Sequence, residues 1–255
     1  GEVMSSIIRG IEKRPRACII YGVEGCGKST WASSAESAIV IPIEDGVADI
    51  DVAKFPKPET LDEFYNYLME ARDSDEFGTV VLDTLDAIEA LIHKKVAADR
   101  GVISVGEVDY GKGYDEALAH FVSLRDRLDV VKRTKQVVIV AHAAVENVKD
   151  PHLGEFSRYT LKTRPKVGSL FKEWCNELFF ATFDDTVIDT ADEKKKRSGV
   201  RAAVSGNRII YTRRGRGFDA KNRLSSLPDT LPVSRVLEDG TVEGGFSAYS
   251  KHWPA

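Results

Sequence analysis

The sequence has few cysteines, no long hydrophobic run and no excess of basic residues. Its three cysteines are odd in number and scattered, so they make no disulfide framework, and with the five histidines they show no zinc-ligand spacing. No apolar stretch reaches the ~18 residues of a membrane span, and no signal peptide is recognisable. The formal net charge of −4 excludes a uniformly basic protein, so any contact with nucleic acid must come from local patches. These absences predict a protein of a reducing cytoplasm with no membrane partner.

Length and patterning predict a single α/β domain. The 255 residues could form one large domain or two small ones. Apolar strand-like runs alternate with amphipathic helical stretches, and hairpin-like segments follow, which favours a mostly parallel central sheet flanked by helices with C-terminal antiparallel hairpins. We divide the chain into an N-terminal arm (1–16), a core (17–232) and a C-terminal tail (233–255) with weak periodicity.

The later part of the chain is harder to interpret. Residues 136–141 form the clearest central strand, and 143–172 read as a long polar loop. Three further segments, 177–183, 201–204 and 208–212, are predicted as antiparallel strands around the charged loop Glu193–Arg197. The helix after the first strand is expected over 28–37.

The most informative motif follows the first strand. Eight residues from Gly22 fit G-x-x-x-x-G-K-[ST], the phosphate-binding P-loop. Its glycines allow the turns that point successive N–H groups at phosphate oxygens, Lys28 brings a positive charge, and the Ser29 hydroxyl can ligate Mg²⁺. A glycine-rich turn without a ligand is the competing interpretation; the strand before it and the helix-prone stretch after it favour nucleotide. The predicted ATP-binding residues are Gly22, Val23, Glu24, Gly25, Cys26, Gly27, Lys28, Ser29 and Thr30.

Polar residues at the ends of neighbouring strands supply the remaining chemistry. Asp83 follows TVVL and is the expected Mg²⁺ ligand with Ser29, although it could instead cap a helix. Asp86 is a weaker candidate for the same role, with a first-turn helix charge as its alternative. Glu44 is the acid expected to orient the attacking water, with Asp45 as its rival and an exposed loop acid as the alternative for either. His142 ends the central strand, where it could contact the terminal phosphate or be a buried structural histidine.

Two stretches are basic despite the acidic total. From Phe156 to Lys172 there are five basic residues and no acids, with aromatic residues between them, and 207–223 holds six more basic residues against one acid. Cations that follow phosphates and rings that stack on bases are typical of single-strand binding, whereas a solvated face is the alternative. The predicted nucleic-acid contacts are Lys112, Arg158, Tyr159, Lys162, Arg164 and Lys166.

The order of these features resembles a family. A P-loop, an acid after the next strand, an aspartate after TVVL, a polar residue after VVIVA and then a basic loop are arranged as in a RecA-like ATPase core. The chain is more closely similar to the phage-encoded RecA-core ATP-binding proteins of the Sak-type single-strand annealing kind. The stretches that carry this resemblance are GVEGCGKSTWA, VVLDTLDAIEALI, VDYGKGYDEAL, VIVAHAAVENVKDP, the region Arg158–Lys162 and FDAKNR.

The resemblance implies a role for each matching position. Lys28 and Ser29 correspond to the Walker A pair, and Asp83 corresponds to the Walker B aspartate. Glu44 corresponds to the catalytic glutamate, and His142 stands where these proteins have a sensor glutamine. The loops 101–113 and 143–166 resemble two DNA-binding loops.

The resemblance also implies an assembly. Lys221 and Arg223 resemble cations that reach the ATP of a neighbouring subunit and stabilise the transferred charge. The expected protein is therefore an ATP- and Mg²⁺-dependent ATPase that forms a homo-oligomeric ring or filament on single-stranded DNA and promotes annealing or homologous recombination. A single-strand DNA-binding protein is a further expected partner, and the bacterial host cytoplasm is the expected location. The alternatives are a hexameric helicase-type motor, a small-molecule phosphotransferase and a nucleotide-gated binding module with little hydrolysis.

Overall fold

A computed structural model describes residues 9–152, 154–184, 186–189, 200–203, 207–236 and 242–254. Several sequence predictions reach residues outside these ranges. They are the first eight residues of the predicted N-terminal arm, residue 153 of the polar loop, the charged loop Glu193–Arg197, residue 204 of the predicted strand 201–204, and residues 237–241 and 255 of the tail.

The described chain alternates strands and helices through its first two thirds and then consists mainly of strands. The strands are β1 (Ala17–Gly22), β2 (Ala38–Pro42), β3 (Ala53–Lys54), β4 (Thr79–Asp83), β5 (Gln136–Asp150), β6 (Gly154–Leu161), β7 (Glu177–Phe183), β8 (Thr186–Asp189), β9 (Val200–Ala203), β10 (Arg208–Tyr211), β11 (Thr230–Pro232), β12 (Ser234–Val236) and β13 (Val242–Gly244). The helices are α1 (Lys28–Ser33), α2 (Leu61–Asp73), α3 (Leu85–Asp99), α4 (Lys112–Val131), α5 (Pro165–Trp174) and α6 (Ser247–Ser250). Among the described helices, none combines the length and apolarity that a membrane crossing requires.

One nine-stranded sheet organises the molecule. Its strand order is β11-β10-β7-β1-β5-β4-β2-β3, and β6 pairs with β5 outside this order. The strands from β7 to β3 are parallel, and β10 and β11 add an antiparallel edge. The predicted α/β class, with a mostly parallel sheet, flanking helices and antiparallel C-terminal strands, is confirmed.

Each face of the sheet buries its own apolar cluster. Successive residues of β1 alternate between the two, with Ile19 in one cluster and Ile20 in the other, as the two-residue period of a strand requires. On the first face, helices α2 to α5 pack residues such as Phe64 and Phe121 against the strands. On the second face, α1 and the C-terminal segment 242–254 pack together.

The stretch that follows the central strand is not a loop. Residues 143–150 and 154–161 form a two-stranded antiparallel extension, because β5 continues to Asp150 and β6 returns beside it. Polar side chains stand directly opposite each other across this hairpin: Arg158 pairs with Glu146 at 3.0 Å, and Lys149 pairs with Glu155 at 3.0 Å. Such cross-strand pairs stabilise a strand pair with little apolar content. The prediction of an irregular loop here was wrong because polarity was taken to mean absence of structure.

Two smaller differences have local causes. β7 was predicted to be antiparallel, but it runs parallel to β1, because α5 carries the chain back to the start of the sheet before β7 begins. Helix α1 ends at Ser33 instead of reaching residue 37, since the hydroxyl of Ser34 bonds to the carbonyl of Trp31 at 2.7 Å and closes the last turn.

The C-terminal segment covers the helix that follows the P-loop. The rings of Phe246 and Tyr249 lie 5.0 and 6.2 Å from the Trp31 ring of α1, and Trp253 packs against both of them. The main-chain N–H of Phe246 also donates to Ser34 at 2.9 Å. The residues predicted as a separate tail thus contribute to the second apolar cluster of the core.

Candidate nucleotide site

The parallel strands bring the predicted phosphate-handling residues to one edge of the sheet. In the strand register, Gly22 at the end of β1 lies opposite His142 of β5, and Asp83 at the end of β4 lies opposite Val140. Glu44 follows β2, the next strand along. Because parallel strands share a carboxyl edge, residues far apart in the sequence meet where β1 turns into α1.

The turn itself requires glycine at three positions. A Cβ on Gly22 would lie 1.8 Å from the carbonyl oxygen of Ala181 on the neighbouring strand, so no side chain fits there. Gly25 and Gly27 have φ values of +75° and +86°, which L-residues with side chains rarely adopt. Helix α1 then begins at Lys28. The backbone therefore has the strand, glycine turn and helix N-terminus of a phosphate-binding loop.

Two side chains of this turn, those of Lys28 and Cys26, lie in different environments. The Lys28 amino group lies inside the loop and donates to the carbonyl of Val23 at 2.8 Å. Cys26 is buried, and burial raises the pKa of its thiol even though the nearby Lys28 opposes the shift. Cys26 is therefore a neutral packing residue here and not an activated nucleophile.

A cavity of about 340 Å³ opens over this turn. Eight predicted site residues line it: Glu24, Gly25, Gly27, Lys28, Ser29, Thr30, Glu44 and His142. Five further residues line it that the sequence did not indicate: Gly46, Ile50, Thr84, Val140 and Arg208. Arg208 comes from β10, and its position beside Gly27 depends on strand pairing that no local sequence signal reveals.

Asp83 lies beneath the cavity as a buried carboxylate without a hydrogen-bond partner. It is 1% exposed, and neither carboxylate oxygen accepts a hydrogen bond. Burial raises the pKa of Asp83 to about 6, while the Ser29 hydroxyl and the Lys28 charge oppose the shift. A buried anion with free lone pairs beside a serine hydroxyl fits a divalent cation, which would satisfy both. The capping alternative is wrong, because Thr84 caps α3 by accepting from the N–H of Ala87.

The two candidate acids after β2 lie in different environments. Glu44 lines the cavity, and its Oε1 lies 3.7 Å from Nε2 of His142. The side chain of Asp45 is 87% exposed and pairs with Lys57 at 3.1 Å. Glu44 is therefore the acid that can reach a water in the cavity.

His142 has a second carboxylate partner in Asp86, which the sequence indicated only as a weaker alternative to Asp83 or as a first-turn helix charge. Its Nδ1 lies 2.8 Å from Oδ2 of Asp86, and its main-chain N–H donates to Oδ1 of the same residue at 3.0 Å. The hydrogen bond to Asp86 raises the pKa of His142, against the effect of burial. Burial would raise the pKa of Asp86, but the hydrogen bonds from His142 lower it. The sequence signal for Asp86 was its position, three residues after Asp83 and in the first turn of α3.

The two predicted trans-acting cations lie away from the cavity of their own chain. The Lys221 amino group donates to the carbonyl of Cys175 at 2.7 Å and to that of Lys172, so it closes the end of α5. Arg223 is exposed and lines a separate cavity of about 470 Å³ together with Arg213 and Arg214. In this conformation, Arg223 has the more accessible side chain of the pair.

The predicted nucleic-acid residues divide into two groups. Arg164 and Lys166 line a cavity of about 480 Å³ that includes Tyr110, and Arg164 with Lys162 also lines a groove of about 660 Å³ that reaches Glu44. Lys112 is exposed at the start of α4.

The second group lies in the hairpin. Arg158 is bound between Glu146 and Asp219, at 3.0 and 3.1 Å, and the ring of Tyr159 stacks on Phe180. Both side chains stabilise the hairpin against the sheet.

Comparison with known proteins identifies the family. A family model described as an AAA domain matches residues 14–224, and no curated protein matches the chain. The matched range contains the P-loop, the buried Asp83 and the cavity residues Glu44 and His142. Proteins of this type bind nucleotide, typically with Mg²⁺. The chain therefore belongs to the AAA-domain family of P-loop ATPases.

Proposed function

We propose that the protein hydrolyses ATP with Mg²⁺, binds single-stranded DNA and promotes annealing or homologous recombination as a homo-oligomer. The nucleotide half follows from the family and the P-loop cavity. The DNA half rests on one observation, the groove that runs from the nucleotide cavity to the basic segment after β6. The resemblance to Sak-type phage proteins agrees with this proposal.

The cavity residues suit hydrolysis. The backbone N–H groups of the P-loop and the Lys28 amino group would hold the phosphates, while Ser29 and Asp83 would hold Mg²⁺. The metal would neutralise charge on the phosphate oxygens. Glu44 would accept a proton from a water that attacks the terminal phosphate, and Nε2 of His142, which lies 3.7 Å from Glu44, would contact that phosphate.

The groove supports coupling between nucleotide and DNA. Its lining includes the acids Glu44, Asp86 and Glu89 and the cations Lys162 and Arg164. The adjoining cavity adds Tyr110, which is 97% exposed and can stack on a base. Single-stranded DNA bound here would therefore lie in the same groove as Glu44, one of the residues assigned to ATP hydrolysis.

DNA dependence can be tested through the ATPase rate. At low salt, we expect single-stranded DNA to raise the rate and duplex DNA to raise it less. Replacing Lys162, Arg164 and Lys166 together by alanine should weaken strand binding at least tenfold and reduce the salt slope by about 0.7 for each phosphate that is no longer neutralised. Arg72→Ala, a cation on α2 paired with Asp73, is the matched control. An identical rate with and without DNA would refute this half of the proposal.

An ATP site shared between subunits would explain the exposed Arg223. Its cationic cavity does not include any P-loop residue of its own chain. A neighbouring copy could instead present its phosphates to this cavity, where Arg223 would stabilise developing negative charge.

Mixed oligomers test the shared site. Lys28→Ala should lose nucleotide binding, and Arg223→Ala should lose at least 10³-fold in rate, the lower end of the range for a phosphate-contacting arginine. Mixing the two inactive variants should restore about a quarter of the wild-type rate, because a quarter of random interfaces pair an intact P-loop with an intact Arg223. No recovery in mixed oligomers that sediment normally would exclude Arg223 as a trans-acting group.

A further inference from the structure

We propose that Asp86 is a positioning residue that makes His142 a donor to phosphate only when the imidazole is protonated. This inference rests on the proposed hydrolysis of ATP at the P-loop cavity. It assigns a role to Asp86 and a pH dependence to the reaction.

The first step is the hydrogen-bond direction at Nδ1. A carboxylate only accepts hydrogen bonds, and Asp86 is ionised because the bonds from His142 lower its pKa. At 2.8 Å from Oδ2, Nδ1 of His142 must therefore carry its proton. The second oxygen is occupied by the main-chain N–H of the same histidine at 3.0 Å, so the carboxylate cannot rotate without losing a bond. The side chain of Asp86 is also only 15% exposed, which keeps water from competing.

The second step concerns the opposite ring nitrogen. With the Nδ1 proton fixed, a neutral imidazole presents a lone pair at Nε2, which would repel a phosphate oxygen. Only the protonated ring presents an N–H there. Since Nε2 faces Glu44 at 3.7 Å on the wall of the nucleotide cavity, that N–H would point to where the terminal phosphate and the attacking water meet.

The charges around the ring favour the protonated form. Asp86 from α3 and Glu44 from the segment after β2 both favour the cation, and Lys28 from α1 opposes it. Arg208 of β10 and Glu24 of the P-loop line the same cavity with opposite charges. The rate should therefore stay high up to a pH above the ordinary histidine value of about 6.5 and fall at higher pH.

Asp86→Asn provides the direct test. The main-chain N–H of His142 needs an acceptor, so the side-chain amide oxygen of the variant would take the place of Oδ1. The amide NH₂ would then face Nδ1 of His142 and donate a hydrogen bond to it. The neutral ring would then hold its proton on Nε2. The variant ring still presents an N–H at Nε2 but lacks the positive charge, so we expect kcat below the wild-type pKa of His142 to fall about 10- to 100-fold, with the Kd for nucleotide changed by less than about threefold. The alkaline decrease in kcat should disappear over the range where the wild type shows it.

Nitrogen-15 NMR of the histidine rings gives a readout that needs no nucleotide. The wild-type His142 should show a proton on Nδ1 and titrate above the free value, whereas the Asp86→Asn protein should show a proton on Nε2 and titrate lower. Asp99→Asn, at the other end of the same helix and paired with Lys95, should leave tautomer, pKa and rate unchanged. An unchanged tautomer in Asp86→Asn would overturn the proposal, even if the wild type proved to bind no ATP.

A double-variant cycle separates positioning from folding. In a His142→Gln background, Asp86→Asn should reduce kcat less than about threefold further, since its effect operates through the imidazole. The full 10- to 100-fold loss in that background would show that Asp86 acts independently of His142, and the inference would be wrong.

Discussion

Replacing Glu44 by glutamine is expected to lower the ATP turnover about 10²- to 10⁴-fold, the range for loss of a positioned general base. The amide keeps the size and polarity of the side chain but cannot accept the water proton. Since Glu44 lines the cavity without a direct bond to the P-loop, ATP affinity should change less than about threefold. Steady-state turnover and binding of a fluorescent ATP analogue measure the two quantities separately.

Asp45→Asn is the comparison that tests the choice of acid. Asp45 is adjacent in sequence, but it points to solvent and pairs with Lys57. Its replacement should leave the rate within about twofold, as expected for a surface ion pair. A large loss in Asp45→Asn with normal turnover in Glu44→Gln would reverse the assignment. Normal turnover in both would favour a nucleotide-gated binding module with little hydrolysis.

Replacing Glu177 by alanine is expected to lower the free energy of unfolding by about 3–5 kcal/mol, the cost of leaving a buried charge without its partner. Glu177 on β7 is fully buried and accepts from the Arg16 guanidinium, with Nε at 3.1 Å, and from the Tyr249 hydroxyl. It thus joins the residue before β1 to the last described helix. Urea unfolding at neutral pH gives the measurement.

Two further variants separate charge from packing. Tyr249→Phe removes one hydrogen bond to the same carboxylate and should cost about 1–3 kcal/mol. Combining Glu177→Leu with Arg16→Met removes both charges and should recover most of the loss, because buried ion pairs are often replaceable by apolar side chains of similar size. A loss under about 1 kcal/mol in Glu177→Ala would show that Arg16 finds water or another partner instead.

The P-loop and the strand-terminal acids were predictable because their conformation is encoded locally. Glycines at 25 and 27 specify backbone angles that other residues avoid, and apolar runs before Asp83 and His142 specify buried strands. Parallel strands then bring these ends together without further information. The family range of 14–224 agrees with a nucleotide-binding fold over this part of the chain.

The features that the sequence did not indicate depend on contacts between distant segments. Arg208 joins the cavity only because β10 pairs with β7, and Asp86 meets His142 across 56 positions of the chain. The hairpin after the central strand is stabilised by polar pairs whose register depends on how both strands align. Periodicity detects burial along one segment, so it does not indicate a strand pair that is held by polar partners and by contacts with the distant sheet.

The aromatic packing of residues 242–254 on Trp31 bears on any attempt to isolate a minimal catalytic fragment. A protein trimmed to the family boundary at residue 224 would lack Phe246, Tyr249 and Trp253, and the uncovered indole on α1 would face solvent beside the phosphate loop. Such a fragment would expose an apolar, aggregation-prone surface, and α1 would lose packing contacts that hold it in place. Failure of the fragment to bind ATP would therefore reflect this lost packing and would not test the chemistry of the intact chain.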